Sequence, residues 1–220
     1  MPGAEPLRGP RHSGLAQLQG CGQTTVVLLS SRLSRGGISS SPWTAFAEES
    51  NADVEICNGY GDWSDRQVER LTSEHWLTVC SPATLERRGW PGSAQALMSW
   101  PLYSVLGYRE GWNEWLTQQQ SHGLAPAPGL EFDTTTLAMQ AVRYGDGVLL
   151  TRSFLVSDAL QRGELVQPHP GILPTRGGHY LVCQRGDQRP KVTAFCDWLR
   201  RELRGHQAGL RLPTPGLAQE

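Results

Sequence analysis

Apolar and polar positions change period along this chain, most clearly between Phe132 and Leu150. Leu137, Ala138, Ala141 and Val142 recur at helical spacing, which lays one apolar stripe along a helix and leaves Gln140 and Arg143 outside it. Asp133 or one of Thr134, Thr135 and Thr136 is placed to cap the helix start, and Gly145 or Gly147 to end it. Val148 to Leu150 continues as an almost wholly apolar strand, as in a parallel sheet covered on both faces. With the strand that ends at Phe132, the stretch predicts a β-α-β unit. The free N–H groups of such a helix start open at the carboxyl edge of the sheet, where polar and anionic ligands bind. The threonine hydroxyls are therefore either caps alone or caps and ligand contacts.

The rest of the chain carries the same alternation. Thr24 to Leu29 is a β-branched strand, and the polar loop after it, with Ser30, Ser31, Arg32 and Ser34, opens a helix through Ile38 to Glu49. Asp53 to Cys57 is the next strand, and Asn58, Gly59 and Gly61 form a loop that permits close backbone approach. It is not a dinucleotide fingerprint, because Ser64 stands where the third glycine would be. Gln67 to Thr72 and Trp76 to Cys80 are extended segments, and Ser81-Pro82 starts a short helix. Pro91, Gly92 and Pro101 break the pattern from Ala83 to Ser104, around a short apolar segment at Leu97, Met98 and Trp100. Trp112, Trp115 and Leu116 mark a helix ending by Gly123, and tryptophans so spaced belong to a core. Phe154 to Arg162 is a helix stopped by Gly163, Glu164 to Gln167 a strand, and Pro168 to Gly178 an irregular connector. His179 to Gln184 is a strand, and a last helix starts at Pro190 with Val192, Phe195, Leu199 and Leu203 on one face. Residues 1–23 and 205–220, rich in glycine, proline and polar residues, are expected to be disordered.

Composition narrows the function more than the fold. A net charge of −1 with 19% charged residues gives no general attraction to nucleic acid or membrane. The five cysteines are odd in number and scattered, and Cys80, Cys183 and Cys196 lie in apolar runs, as reduced core residues of a cytoplasmic protein do. Neither CxxC nor HExxH spacing occurs, so no metal or other cofactor is expected. His75 and Cys80 are close in sequence, yet the apolar setting of Cys80 suits a core thiol better than a nucleophile, and no nucleophile elbow or phosphate loop exists. Catalysis is not expected. No run approaches the roughly twenty apolar residues of a membrane span, and no secretory signal opens the chain.

Taken in order, VERLTSEHWLTVCSPATL, GWNEWL, FDTTTLAMQAVRYGDGVLLTRSFLVSDALQRGELVQP and HYLVCQRGDQRPKVTAFCDWLRREL are familiar segments. The chain resembles the effector-binding domain of LysR-type transcriptional regulators, most closely the branch that includes the glycine-cleavage activator GcvA. The resemblance runs from about Thr24 to Leu203. It implies the α/β, type-II periplasmic-binding-protein-like fold: two α/β subdomains joined by two crossovers, with a small effector in the cleft between them. Residues 24–77 and 179–204 would form the first subdomain, and 78–178 the second. The cleft contacts implied are Ser30, Ser31, Arg32, Ser34, Asn58 and Gly59 on one side and Thr134, Thr135 and Thr136 on the other. A homodimer is implied as well.

Two departures from the family pattern shape the expectation. The winged helix-turn-helix with which these regulators begin does not precede Thr24, so contact with DNA is expected only through a domain outside this chain. The first subdomain is expected to be short by about one β-α unit. The function expected is sensing of a small metabolite, an amino acid or carboxylate, to control transcription. The alternatives are a truncated remnant that acts by pairing with a full-length regulator, and a solute-binding protein of the same superfold.

Overall fold

The computed structural model describes residues 25–28, 37–40, 53–121, 123–124, 126 and 129–209. Strands β1 (Thr25–Leu28) and β2 (Gly37–Ser40) pair antiparallel, with Thr25 opposite Ser40 and Leu28 opposite Gly37. A helix beginning at Ile38 is thereby excluded over these first residues. A β-branched residue followed by serines is a poor helix opening, and the ladder with β1 satisfies the same backbone groups. The remainder of that expected helix lies outside the described residues.

Two sheets follow. The first joins β3 (Val54–Gly59), β10 (Gly178–Gln184) and β4 (Arg66–Arg70) in the order β3-β10-β4, all antiparallel. The second joins β5 (His75–Val79), β6 (Leu102–Val105), β7 (Leu130–Phe132), β8 (Val148–Arg152) and β9 (Leu173–Pro174) in the order β7-β6-β8-β5-β9. Strands β7, β6 and β8 are parallel; β5 runs antiparallel to β8 and β9. A late strand, β10, thus lies between two early ones. The chain crosses from one sheet to the other between Arg70 and His75, ahead of Leu77, and returns between Pro174 and Gly178.

Helix α1 (Pro82–Arg88) begins where Ser81 caps the Thr84 N–H at 3.2 Å and proline occupies the first turn. Short α2 (Ala94–Leu97) and α3 (Trp112–Gln118) come next, and α4 (Thr135–Tyr144) closes the expected β-α-β unit between β7 and β8. Its stripe is rotated from the expected one: Thr135, Ala138 and Val142 are buried, while Leu137 is 54% exposed. The small Ala138 brings the helix close to the sheet, and the next turn follows closely enough that a Cβ on Gly147 would overlap the Tyr103 ring. A threonine, not the leucine, consequently faces inward.

Strand β6 is an element the sequence pattern did not announce, since Pro101 ends one broken region and only four paired residues follow. The strand expected at Glu164 to Gln167 contracts to one bridge, Cys80 to Val166, with both N–H···O bonds at 2.9 Å. Helix α5 (Ser153–Gln161) divides its faces, with Phe154 and Leu155 entering the core beneath the first sheet and Val156 and Ala159 the core of the second. The last helix, α6 (Pro190–Gly209), buries Val192, Cys196, Leu199 and Leu203 against the first sheet and continues past Gly205, where the tail was expected to start. Trp112 and Trp115 are core residues as expected, and their indole N–H groups donate to the Tyr103 and Gly171 carbonyls at 3.1 and 3.2 Å.

Trp115→Ala should cost about 3–5 kcal/mol, the range for emptying an aromatic core site. Leu137→Ala should fall within about 0.5 kcal/mol of the parent. Denaturant unfolding of both variants checks the rotated stripe, because the expected stripe would make Leu137 the costly position.

Candidate functional site

Where the chain crosses between the sheets, β8 ends its apolar run VLLT on an arginine. Arg152 is fully buried. It stands opposite Trp76 in the β5–β8 register, so both side chains leave the same face of the second sheet. The guanidinium carbon lies 4.7 Å from the Tyr108 ring centre, 5.5 Å from Trp76 and 5.7 Å from Tyr60. Rings at these distances offset part of the cost of burying the charge. Nη1 donates to Asn58 Oδ1 at 3.2 Å and lies 3.9 Å from Glu74 Oε2. Nε and Nη2 have no partner among the described residues. A Cβ on Gly177 would overlap the guanidinium, so this glycine leaves the space in which the arginine lies.

Glu74 joins the two crossings behind Arg152. Its Oε1 accepts from the Thr72 hydroxyl and lies 2.9 Å from His179 Nδ1, and the Thr72 hydroxyl also receives the His179 N–H at 2.8 Å. Leu71 N–H donates to the His179 carbonyl at 2.8 Å, and Arg70 Nε to the Thr72 carbonyl at 2.8 Å. Burial pushes the Glu74 carboxyl up, but the His179 bond and charge, the Arg152 charge and the Thr72 hydroxyl outweigh it and hold the pKa below its ordinary value. His75 is shifted down by burial, against an opposing pull from Glu74.

Two of the sequence-predicted contacts border this cluster, one from β3 and one from α4. Asn58, the fifth residue of β3, binds Arg152 through Oδ1 while its Nδ2 is buried without a partner. Thr135, the first residue of α4, points inward beside Tyr108, and neither hydroxyl completes a hydrogen bond of normal geometry. Burial pushes the Tyr108 phenol up, with Arg152 and Thr135 pulling the other way. Thr134 is the helix cap, accepting the Leu137 N–H at 3.3 Å, and Thr136 is half-buried on the first turn. Gly59 is part of β3 opposite Gly178, where a Cβ would meet the Trp63 ring at 2.6 Å. Ser30, Ser31, Arg32 and Ser34 lie outside the described residues. Sequence reasoning missed Arg152, Tyr60, Tyr108 and Glu74. One signal was available, a single charge closing an otherwise apolar strand.

Over the cluster, Tyr60, which directly follows β3, donates to Glu110, which also accepts from Thr175, and Arg109 lies 4.2 Å above the Tyr60 ring. Beside it, a cavity of about 590 Å³ is lined in part by Trp76, Tyr108, Trp112 and Leu150. Arg109, Glu110, Glu114 and Glu131 also line it. Burial pushes the Cys57, Cys80 and Cys183 thiols up to about 12, with the Glu55 charge adding at Cys57 and Cys196 at Cys183. Burial thus favours the protonated thiol at each of these positions. No helix among the described residues is long and apolar enough to cross a membrane.

The sequence model of the LysR substrate binding domain matches residues 40–204. The chain belongs to the LysR substrate-binding domain family. The glycine cleavage system transcriptional activator of Escherichia coli K12 is 27% identical over 162 residues, covering 73% of this chain and 53% of that protein. The transcriptional regulator DsdC of the same organism is 32% identical over 164 residues, covering 70% and 52%. This LysR domain therefore spans about half the length of the curated relatives it matches. The effector domain of AmpR from Pseudomonas aeruginosa has the same fold, with a TM-score of 0.63 at 21% identity over 76% of this chain and 80% of that one. The paired sheets and double crossing are thus those of a LysR-type regulatory domain of a transcription regulator, with the periplasmic-binding-protein-like architecture. Its named relatives are regulators, not enzymes.

Because the folded pKa of Glu74 is depressed, its stabilisation is complete above the ordinary glutamate value of about 4.3. It is lost as pH falls through the lower folded value. Glu74→Gln should destabilise by about 3–5 kcal/mol at neutral pH, the cost of breaking a buried charge network. It should also flatten the acid limb of the stability profile in pH-dependent denaturant unfolding. Gly177→Ala should destabilise by about 1–3 kcal/mol through displacement of Arg152, and altered near-UV circular dichroism should report the disturbed Trp76 and Tyr108.

Proposed function

We propose that this domain senses a small metabolite, an amino acid or carboxylate, bound between the two sheets, and so controls transcription as part of a LysR-type regulator. The observation that carries this reading is a buried cluster with unpaired donors, in which Asn58 of β3 binds Arg152 while Thr135 of α4 adjoins Tyr108, whose ring packs on the same guanidinium. Buried donors without partners are costly, and an acceptor-bearing ligand would satisfy them. The remaining expected contacts Ser30, Ser31, Arg32 and Ser34 lie outside the described residues, and Gly59, Thr134 and Thr136 would shape the surroundings of the site. A ligand touching both sheets favours one relation between them over another, and that difference in affinity is what a switch requires. In this reading the domain works in the cytoplasm as a homodimer, and contact with DNA falls to the part of such regulators that this chain does not span.

Thermal unfolding of the chain against a panel of amino acids and small carboxylates tests the reading. One compound should raise the midpoint in a concentration-dependent way, with about 2.7 kcal/mol of added stability at a hundred times its Kd. Thr135→Val, similar in shape but without the hydroxyl, should weaken that response. A midpoint unmoved by every compound contradicts the reading.

A further inference from the structure

The strongest unexplained feature of the molecule is one edge of one side chain. Three arginines here hold a carboxylate in the same way. Arg200 grips Glu69 with Nε at 3.0 Å and Nη2 at 2.6 Å, and Arg88 on Asp146 and Arg189 on Asp187 use the same two nitrogens. That edge presents two parallel N–H groups whose spacing matches the two oxygens of a carboxylate. All three forks lie in exposed or partly buried positions. Arg152 is the contrast: its Nε and Nη2 are buried and have no partner among the described residues, while Nη1 on the other side is tied to Asn58 and faces Glu74. The rings of Tyr60, Trp76 and Tyr108 surround the guanidinium.

We infer that the free Nε–Nη2 edge of Arg152 is the anchor for the carboxylate of the ligand, and that the ligand carries a single planar carboxylate. This rests on the sensing function proposed above and names the group by which the ligand is read. The geometry is prepared in advance. Asn58 fixes the guanidinium from behind, the aromatic rings set its plane, and Glu74 holds the opposite side, so little side-chain freedom remains to be lost on binding. Glu74 already offsets one unit of charge at Arg152, so a phosphate dianion is disfavoured more than a singly charged acid. The unpaired Asn58 amide N–H and Tyr108, with Thr135 beside it, would read the rest of the molecule. Arg152 would then be a specificity-determining residue, because a site built to pair a charged fork rejects an uncharged analogue of the same shape.

The test pairs acids with their own amides on the unmodified chain. Acetate, propionate, glycine and serine are titrated calorimetrically beside acetamide, propionamide, glycinamide and serinamide, with inorganic phosphate as a non-planar anion. The acid of at least one pair should bind while its amide binds about tenfold or more weakly, the equivalent of one charge-assisted hydrogen bond. Arg152→Lys, which keeps the charge and loses the fork, should weaken the acid by a similar factor and leave the residual preference over phosphate smaller. Should Arg152→Lys not fold, the acid–amide comparison decides alone. An amide or phosphate that binds as tightly as the acid overturns the carboxylate fork and leaves the sensing function standing. A panel in which nothing binds overturns both.

Discussion

Burying a guanidinium without a full set of partners is expensive, and much of this domain's central architecture is arranged around that cost at Arg152. Three aromatic rings, one amide oxygen and one carboxylate surround it, drawn from both sheets and from the first crossing. Gly177 on the second crossing is a glycine for a steric reason, since any side chain there would enter the space the guanidinium occupies. Glu74 connects this cluster to Thr72 and His179, which bind the two crossings to each other. Arg152 therefore lies against residues of both sheets and of both crossings. That placement makes a change at Arg152 a change at the crossings as well.

Much of the fold was legible because strong local chemistry agreed with tertiary packing. Ser81-Pro82, Gly163 and Pro190 mark helix ends where the structure has them, and the runs at Asp53, Trp76, Val148 and His179 are strands. Failures came where packing chose between locally equivalent readings. Strand β6 is too short to show a period and follows a proline, yet it is a central strand between β7 and β8. Helix α4 carries enough apolar residues to turn either Leu137 or Thr135 inward, and close approach to the sheet selected the threonine. Gly37 to Ser40 pairs with β1 instead of opening a helix, a pairing no local signal announces.

The buried cluster at Arg152 was legible in the sequence only through two of its neighbours. Asn58 and Thr135 follow from the rule that α/β folds gather ligand contacts at strand ends and helix starts. Thr134 is the helix cap, while Thr135 is buried with its hydroxyl turned inward. Arg152, Tyr60 and Tyr108 are contributed by strands and loops far apart in sequence, and only the register of β5 against β8 and the double crossing bring them together. Membership of the LysR substrate-binding domain family accounts for the architecture. The buried charge at Arg152 is a feature of this chain's own residues.

The most direct measurement is the ¹⁵N–¹H resonance of Arg152 Nε, assigned by its loss in Arg152→Lys, followed as a binding carboxylate is added. The account predicts a downfield shift that saturates with the ligand and is not produced by the matching amide, as an unpaired N–H gains an anionic acceptor. A resonance that stays in place while the carboxylate binds elsewhere would contradict it.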